Sequence, residues 1–182
     1  MSCMRLDPAS STLCVIDVQE KLLPVLADAD RVIDRCVRLA TAADLLGVAA
    51  ILTEQYPRGL GPTAPALAGR LPPAVAKMAF SCCGSEAFVA ALPATAATVV
   101  LAGLETHVCI AQTALDLLAR GLGVFVAADA VTSRHAIDHE FGLRRLEAAG
   151  AVLTTSEAVL FEWCRTAAHP QFQAVRRLLL EV

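Results

Sequence analysis

The residues V-V-L-A-G-L-E-T-H-V-C, from Val99 to Cys109, join an apolar run that ends at Gly103 to a short polar turn. Apolar residues from Ile110 to Leu118 follow, so the pattern predicts a strand, a tight turn and a helix that begins near Cys109. Ligands of open α/β sheets bind at the carboxyl ends of strands, and a helix N-terminus favours a thiolate. The stretch therefore predicts either a reactive cysteine or a small residue of the core.

The overall composition is that of an apolar globular protein. The chain has 182 residues, 56% of them hydrophobic and 18% charged, which favours one domain over residues 1–182. The net charge is −3 and no basic block is present, so we expect neither a nucleic-acid partner nor a membrane partner. The sequence has no apolar run of membrane-spanning length and no signal peptide, which predicts a cytoplasmic protein.

The chain has seven cysteines, an odd number, and no pair has the C-x-x-C spacing. This argues against a zinc knuckle and against a secreted disulfide framework. Most of the cysteines are predicted to be reduced residues of the core. Cys82 and Cys83 are adjacent, but neighbours in an extended backbone point to opposite faces, so we expect no redox pair there.

Apolar strand segments alternate with helical segments along the chain. Strands are predicted within residues 12–16, 48–53, 74–81, 98–102, 123–128 and 151–154. Helices are predicted over residues 25–47, 86–92, 107–120, 134–149, 156–164 (capped by Ser156) and 171–180. Continuously apolar strands separated by helices are typical of a parallel sheet covered on both faces. We predict a three-layer, doubly wound, Rossmann-like α/β domain with five or six strands.

Three residues with useful chemistry end or interrupt the apolar segments. Asp17 ends the first strand, Lys77 lies inside the third apolar segment, and Cys109 follows the fourth strand. Parallel strands end at one edge of the sheet, so we expect these side chains to meet there. A carboxylate can accept the thiol proton, and an ammonium can hold a thiolate. The alternatives are a cap or turn role for Asp17 and an edge-strand charge for Lys77.

The substrate pocket is predicted beside these strand ends. Gln19 and Gln55 follow the first two strands and are candidate polar contacts, while Tyr56 and Phe80 are candidate apolar walls. Residues 56–73 are rich in proline and glycine and form a long predicted loop, a kind of segment that is often functional.

Several segments of the chain resemble one enzyme family. V-I-D-V-Q, K-M-A-F-S and G-L-E-T-H-V-C-I-A-Q-T-A occur in the order found in the isochorismatase-like cysteine hydrolases, and the resemblance extends over nearly the whole chain. The segments T-E-Q-Y-P-R-G-L-G-P-T and L-T-T-S-E-A-V-L-F are most similar to the subgroup of isochorismatase-domain-containing proteins. The resemblance implies that Cys109 is the nucleophile, Asp17 the general base and Lys77 the residue that polarises the site.

The same resemblance implies further features of the site. The backbone N–H groups of Glu105 and Cys109 would form an oxyanion hole, and the peptide bond between Leu104 and Glu105 would be cis. The expected activity is cofactor-independent hydrolysis of a small amide-like or ester-like substrate, of the amidase type, by a homo-oligomer. The alternative is a non-catalytic interaction protein that retains the fold. A pocket beneath residues 56–73 favours the enzyme, and a filled space there favours the interaction protein.

The histidines have alternative interpretations. His107 lies two residues before Cys109, and we favour a turn or substrate-rim role over a Cys–His pair. The Glu105 side chain is a candidate second acid. His135 and His139 are four residues apart on a predicted helix but lack a third ligand, so a solvated helix face is favoured over a metal site.

A prediction about metal content follows from the spacing of the histidines. The metal-dependent nicotinamidases of this family have a histidine-containing metal site between the second strand and the lysine, whereas this chain has no histidine between Thr53 and Lys77. We therefore expect the purified protein to contain no stoichiometric zinc, iron or manganese. Elemental analysis measures this, and about one metal ion per chain whose chelation abolishes activity would contradict it.

Overall fold

A parallel sheet of six strands forms the centre of the computed structural model, which describes residues 5–180. The strands are β1 (Ser11–Ile16), β2 (Ala49–Gln55), β3 (Val75–Lys77), β4 (Thr98–Leu104), β5 (Gly123–Thr132) and β6 (Val152–Thr154). Their order in the sheet is β3-β2-β1-β4-β5-β6, and every pair is parallel. The chain winds first to one side of β1 and then to the other, so the predicted doubly wound fold is confirmed.

Helices cover both faces of this sheet. They are α1 (Ala29–Leu46), α2 (Pro57–Leu60), α3 (Glu86–Ala91), α4 (Ala111–Ala119), α5 (Ala136–Ala148), α6 (Ser156–Cys164) and α7 (Phe172–Leu180). Residues of α1, α6 and α7 pack in the core on one face, and residues of α3, α4 and α5 pack on the other. No helix within residues 5–180 combines the length and the apolar character that crossing a bilayer requires.

The central strand shows why the apolar segments are continuous. All six residues of β1 are buried, and Leu13 and Val15 pack against one helical layer while Cys14 and Ile16 pack against the other. Side chains alternate along a strand, so a strand covered on both faces is apolar over most of its length, and in β1 only the first two residues, Ser11 and Thr12, are polar.

The boundaries of several elements differ from those predicted. α1 begins at Ala29 rather than at residue 25, because Pro24 lies in a 3-10 turn at Leu23–Val25 that precedes it. Thr155, rather than Ser156, caps α6 by accepting the N–H of Ala158. The cap prediction was wrong because the Ser156 hydroxyl hydrogen-bonds to Asp129 instead.

The described cysteines are free thiols. Residues 5–180 contain six of them, and all except Cys83 are buried. Cys3 lies outside the described residues.

β4 approaches β1 closely at Gly103. This glycine has φ +114°, and a Cβ atom added to it would lie 2.1 Å from the carbonyl oxygen of Ile16. Only glycine fits this position, because both its backbone conformation and the space around it exclude a side chain. The carboxyl ends of β1 and β4 consequently lie side by side, at the point where the winding of the sheet reverses.

We predict that Gly103→Ala lowers the free energy of unfolding by about 2–4 kcal/mol, because the methyl group would meet rigid backbone. Gly121→Ala is the matched control, since Gly121 also has a positive φ of +82° but no atom within 4 Å of an added Cβ. The control should lose only about 1–2 kcal/mol. Urea denaturation measures both values, and equal losses would contradict the close approach at Gly103.

Candidate active site

The first residue after β1 turns the chain at the reversal point of the sheet. Asp17 has φ +55°, a left-handed conformation that aspartate tolerates better than most residues. Its N–H donates to the carbonyl of Thr53 at 3.1 Å, and its own carbonyl accepts the N–H of Gln19 at 2.8 Å. Such unusual conformations cluster at functional sites, where the surrounding structure maintains them.

The carboxylate of Asp17 is held at both oxygens. Lys77 Nζ lies 2.7 Å from Oδ2, and the two side chains are 0% and 1% exposed. The hydroxyl of Thr53 donates to Oδ1 at 2.7 Å. A buried charge of this kind is stable only when it is paired and hydrogen-bonded, as Asp17 is here.

The ammonium of Lys77 is surrounded by oxygen atoms. Besides Asp17, it donates to Gln55 Oε1 at 2.8 Å and to the carbonyl of Phe80 at 3.1 Å, with the carbonyl of Ala79 at 3.4 Å. All four of these contacts are to oxygen atoms, and the ammonium neutralises the Asp17 carboxylate. That Lys77 also lies within hydrogen-bond reach of the Cys109 sulfur stays a prediction.

Cys109 lies in a π-helical turn, Thr106–Ile110, that precedes α4. Asp17 and Cys109 line the same cavity. Burial and then the charge of Asp17 raise the pKa of the Cys109 thiol well above its ordinary value, and the opposing effect of Lys77 is smaller. The expectation of a lowered pKa at a helix start was wrong, because burial outweighs the favourable end of the helix. The direction of this shift favours the neutral thiol.

A cavity of about 130 Å³ opens onto this thiol. Nine residues line it, namely Asp17, Leu22, Gln55, Leu60, Phe80, Leu104, Glu105, Val108 and Cys109. Leu60 comes from the predicted loop over residues 56–73, so that segment forms part of the wall. A larger groove of about 610 Å³ lies between α1 and the start of α6. Cys109 does not line this groove, so the smaller cavity is the candidate site.

Two predicted pocket residues, Gln55 and Phe80, line the cavity, whereas Gln19 and Tyr56 do not. Gln19 is fully buried; its Oε1 accepts the N–H of Gln55 at 2.8 Å, and its Nε2 donates to the carbonyl of Gly61 at 2.7 Å. Gln19 therefore supports Gln55 and Gly61 through hydrogen bonds without lining the cavity. Tyr56 precedes α2 with φ +39° and is 47% exposed.

The side chains of Glu105 and His107 have partners other than the thiol. The carboxylate of Glu105 accepts the backbone N–H of Arg134 at 2.9 Å and its Nε at 3.1 Å. His107 Nδ1 lies 3.0 Å from the hydroxyl of Ser133. His139 bonds to Thr106 at 2.9 Å, and residues 5–180 contain no cluster of three or more side chains able to hold a metal ion.

The peptide bond between Leu104 and Glu105 is trans, so the implied cis bond is not present. The change of direction after β4 is made instead by Gly103 and by the π-helical turn. Both residues of the implied oxyanion hole, Glu105 and Cys109, border the cavity.

The chain is similar in sequence to one family of known proteins. The isochorismatase domain model matches residues 11–158 of the chain. Isochorismatase domain-containing protein 2A of Mus musculus is 40% identical over 177 residues, which cover 97% of this chain and 86% of the mouse protein.

Solved structures have the same fold. The MAR1 ribonuclease of Caenorhabditis elegans has a TM-score of 0.91 and 41% identity, over 97% of this chain and 93% of that one. YcaC of Pseudomonas aeruginosa, solved with hexane-2,5-diol and covalent acrylamide, has a TM-score of 0.89 and 29% identity, with coverages of 96% and 91%. YcaC of Escherichia coli is described as an octameric hydrolase of unknown specificity. It has a TM-score of 0.87 and 28% identity, over 99% of this chain and 97% of that one.

We predict that Lys77→Met lowers the free energy of unfolding by about 3–5 kcal/mol, because it leaves the Asp17 carboxylate buried and unpaired. Arg144→Met is the matched control, since it breaks an ion pair with Glu140 whose side chains are 66% and 52% exposed. The control should cost only about 0.5 kcal/mol. Chemical denaturation measures both, and similar small losses would show that Asp17 does not depend on Lys77.

Proposed function

The chain belongs to the isochorismatase family, and we propose that it is a cofactor-independent hydrolase in which Cys109 attacks a small amide-like or ester-like substrate. Family membership supports a hydrolase function. The observation that carries the finer proposal is that Cys109 and Asp17, whose carboxylate is paired with Lys77, line the same small cavity. A nucleophile beside a base is the arrangement that covalent catalysis requires.

In the proposed first step, the sulfur of Cys109 forms a bond to the substrate carbonyl carbon while the thiol proton passes to Asp17. The C–N bond of an amide then breaks, and the leaving amine takes the proton from Asp17. The product is a thioester on Cys109. Asp17 next accepts a proton from water, and the hydroxide attacks the thioester. The C–S bond breaks, the sulfur regains the proton, and the acid leaves.

Other residues support these steps. Lys77 and Thr53 each hold one oxygen of Asp17, which fixes the direction of the carboxylate toward the thiol. The neutral resting thiol makes proton transfer to Asp17 part of the attack. Glu105 and Cys109 border the cavity, and we assign their backbone N–H groups to the oxyanion. Losing one such donor typically costs on the order of 100-fold in rate.

The related structures bear on the same proposal. Acrylamide is an electrophile, and its covalent attachment to P. aeruginosa YcaC fits a nucleophile in that fold. The octameric state of the E. coli protein supports a homo-oligomer for this chain. An open cavity at the thiol favours the enzyme over a non-catalytic interaction protein. We do not propose for this chain the ribonuclease activity named for the C. elegans protein, because the carboxylates of Asp17 and Glu105 at the cavity would repel a phosphodiester.

We predict that iodoacetamide at limiting dose labels Cys109 ahead of the other cysteines, and that Asp17→Asn slows this labelling by about 100-fold because the base is lost. Thr53→Val should slow it by about tenfold, since it removes one hydrogen bond to the base while keeping the charge. Peptide mass spectrometry measures the rates. Earlier labelling of the half-buried Cys83 would contradict an activated Cys109.

The same variants are tested for turnover of a panel of small amides, ureas and esters, with Cys109→Ala as the inactive control. Asp17→Asn should lose turnover on every compound that the wild type hydrolyses. Hydrolysis that persists in Cys109→Ala would overturn the proposed nucleophile.

A further inference from the structure

We propose that the cavity selects substrates whose acyl group is uncharged and has no more than about six non-hydrogen atoms. The inference rests on the proposed function, since it takes the acyl group to be the part of the substrate held next to Cys109. It follows from the charges that line the cavity, from the polar groups that are already bonded, and from the volume.

The charged groups at the cavity are already neutralised by one another. Asp17 and Glu105 are the ionisable carboxyl groups among the nine lining residues, and none of the nine is cationic. The two carboxylates have cationic partners, since Lys77 is bonded to Asp17 and Arg134 to Glu105. A substrate carboxylate would therefore face two carboxylates without an unpaired cation, and a substrate ammonium would lose its water without gaining a new partner.

The neutral polar group of the wall is also engaged. The side-chain oxygen of Gln55 accepts from Lys77 at 2.8 Å, and its nitrogen donates to the carbonyl of Met78 at 2.8 Å. The remaining walls are hydrocarbon, from Leu22, Leu60, Phe80, Leu104 and Val108. A charged acyl group would be desolvated against these walls, which is unfavourable unless new hydrogen bonds compensate.

The volume limits the size of the group. The cavity measures about 130 Å³, which is close to the ~150 Å³ of an engineered apolar cavity that holds one benzene molecule. Drug-sized ligands occupy pockets of about 300 Å³ or more. Cys109 is only 6% exposed, so the reacting carbonyl has to enter the cavity to reach its sulfur.

Three alkylating reagents of similar size test the charge selectivity directly: neutral iodoacetamide, anionic iodoacetate and cationic bromoethylamine. In each reaction the sulfur of Cys109 forms a C–S bond, the carbon–halogen bond breaks and the halide leaves, while the thiol proton passes through Asp17 to solvent. Rates at Cys109 are divided by the rates for N-acetylcysteine, which removes intrinsic reactivity. We expect the normalised rate for iodoacetamide to exceed both others by on the order of 100-fold.

A charge placed in the wall provides the matched variant. Leu60→Arg should raise the normalised rate for iodoacetate by about tenfold relative to iodoacetamide, because it supplies an unpaired cation. Gln173→Arg adds the same charge on an exposed position of α7 and should leave the wild-type ratio unchanged. Loss of the preference in both variants would indicate a general charge effect and would overturn the proposal.

Hydrolysis gives an independent measurement. 3-Methylbutanamide and malonamate have the same number of non-hydrogen atoms but differ in charge, and 2-naphthamide is neutral but too large. We expect ammonia release from the first alone. Equal or preferred hydrolysis of malonamate or 2-naphthamide would overturn the substrate class while leaving Cys109 as the nucleophile. If no reagent labels Cys109 in the folded protein although all label it in urea, the proposed function fails, and this inference fails with it.

Discussion

The buried ion pair between Asp17 and Lys77 is the interaction on which the carboxyl edge of the sheet depends. Two opposite charges 2.7 Å apart and almost fully excluded from water require further hydrogen bonds, and Thr53, Gln55 and the carbonyl of Phe80 supply them. These partners come from β2 and from the chain after β3. The pair therefore joins the ends of three adjacent strands, and Asp17 shares its cavity with Cys109, which follows the neighbouring strand β4.

The support of this pair extends into the loop that walls the cavity. Gln19 accepts from Gln55 and donates to the carbonyl of Gly61, so the residue that holds Lys77 is itself held by a contact to the segment after α2. Leu60, the last residue of α2, immediately precedes Gly61 and lines the cavity. The shape of the apolar wall and the orientation of the buried base are thus set by one connected group of hydrogen bonds.

The sequence was sufficient for the sheet and for the convergence of three residues, because continuously apolar strands leave few positions for Asp17, Lys77 and Cys109. The sequence did not reveal which groups each of these side chains bonds to. A glutamine at a strand end looks the same whether it faces a cavity, as Gln55 does, or supports it from behind, as Gln19 does. Phe80 was predicted, but the other apolar lining residues, Leu22, Leu60, Leu104 and Val108, were missed because their spacing matches that of the core. The thiol pKa depends on burial, which spacing does not reveal.

The burial of Cys109 has a consequence for the durability of the protein. Peroxides oxidise thiolates far faster than thiols, and burial raises the pKa of the Cys109 thiol, so this cysteine should be slow to form sulfenic and sulfinic acids. A nucleophile at this position, as proposed above, is thereby protected from oxidation between one substrate and the next.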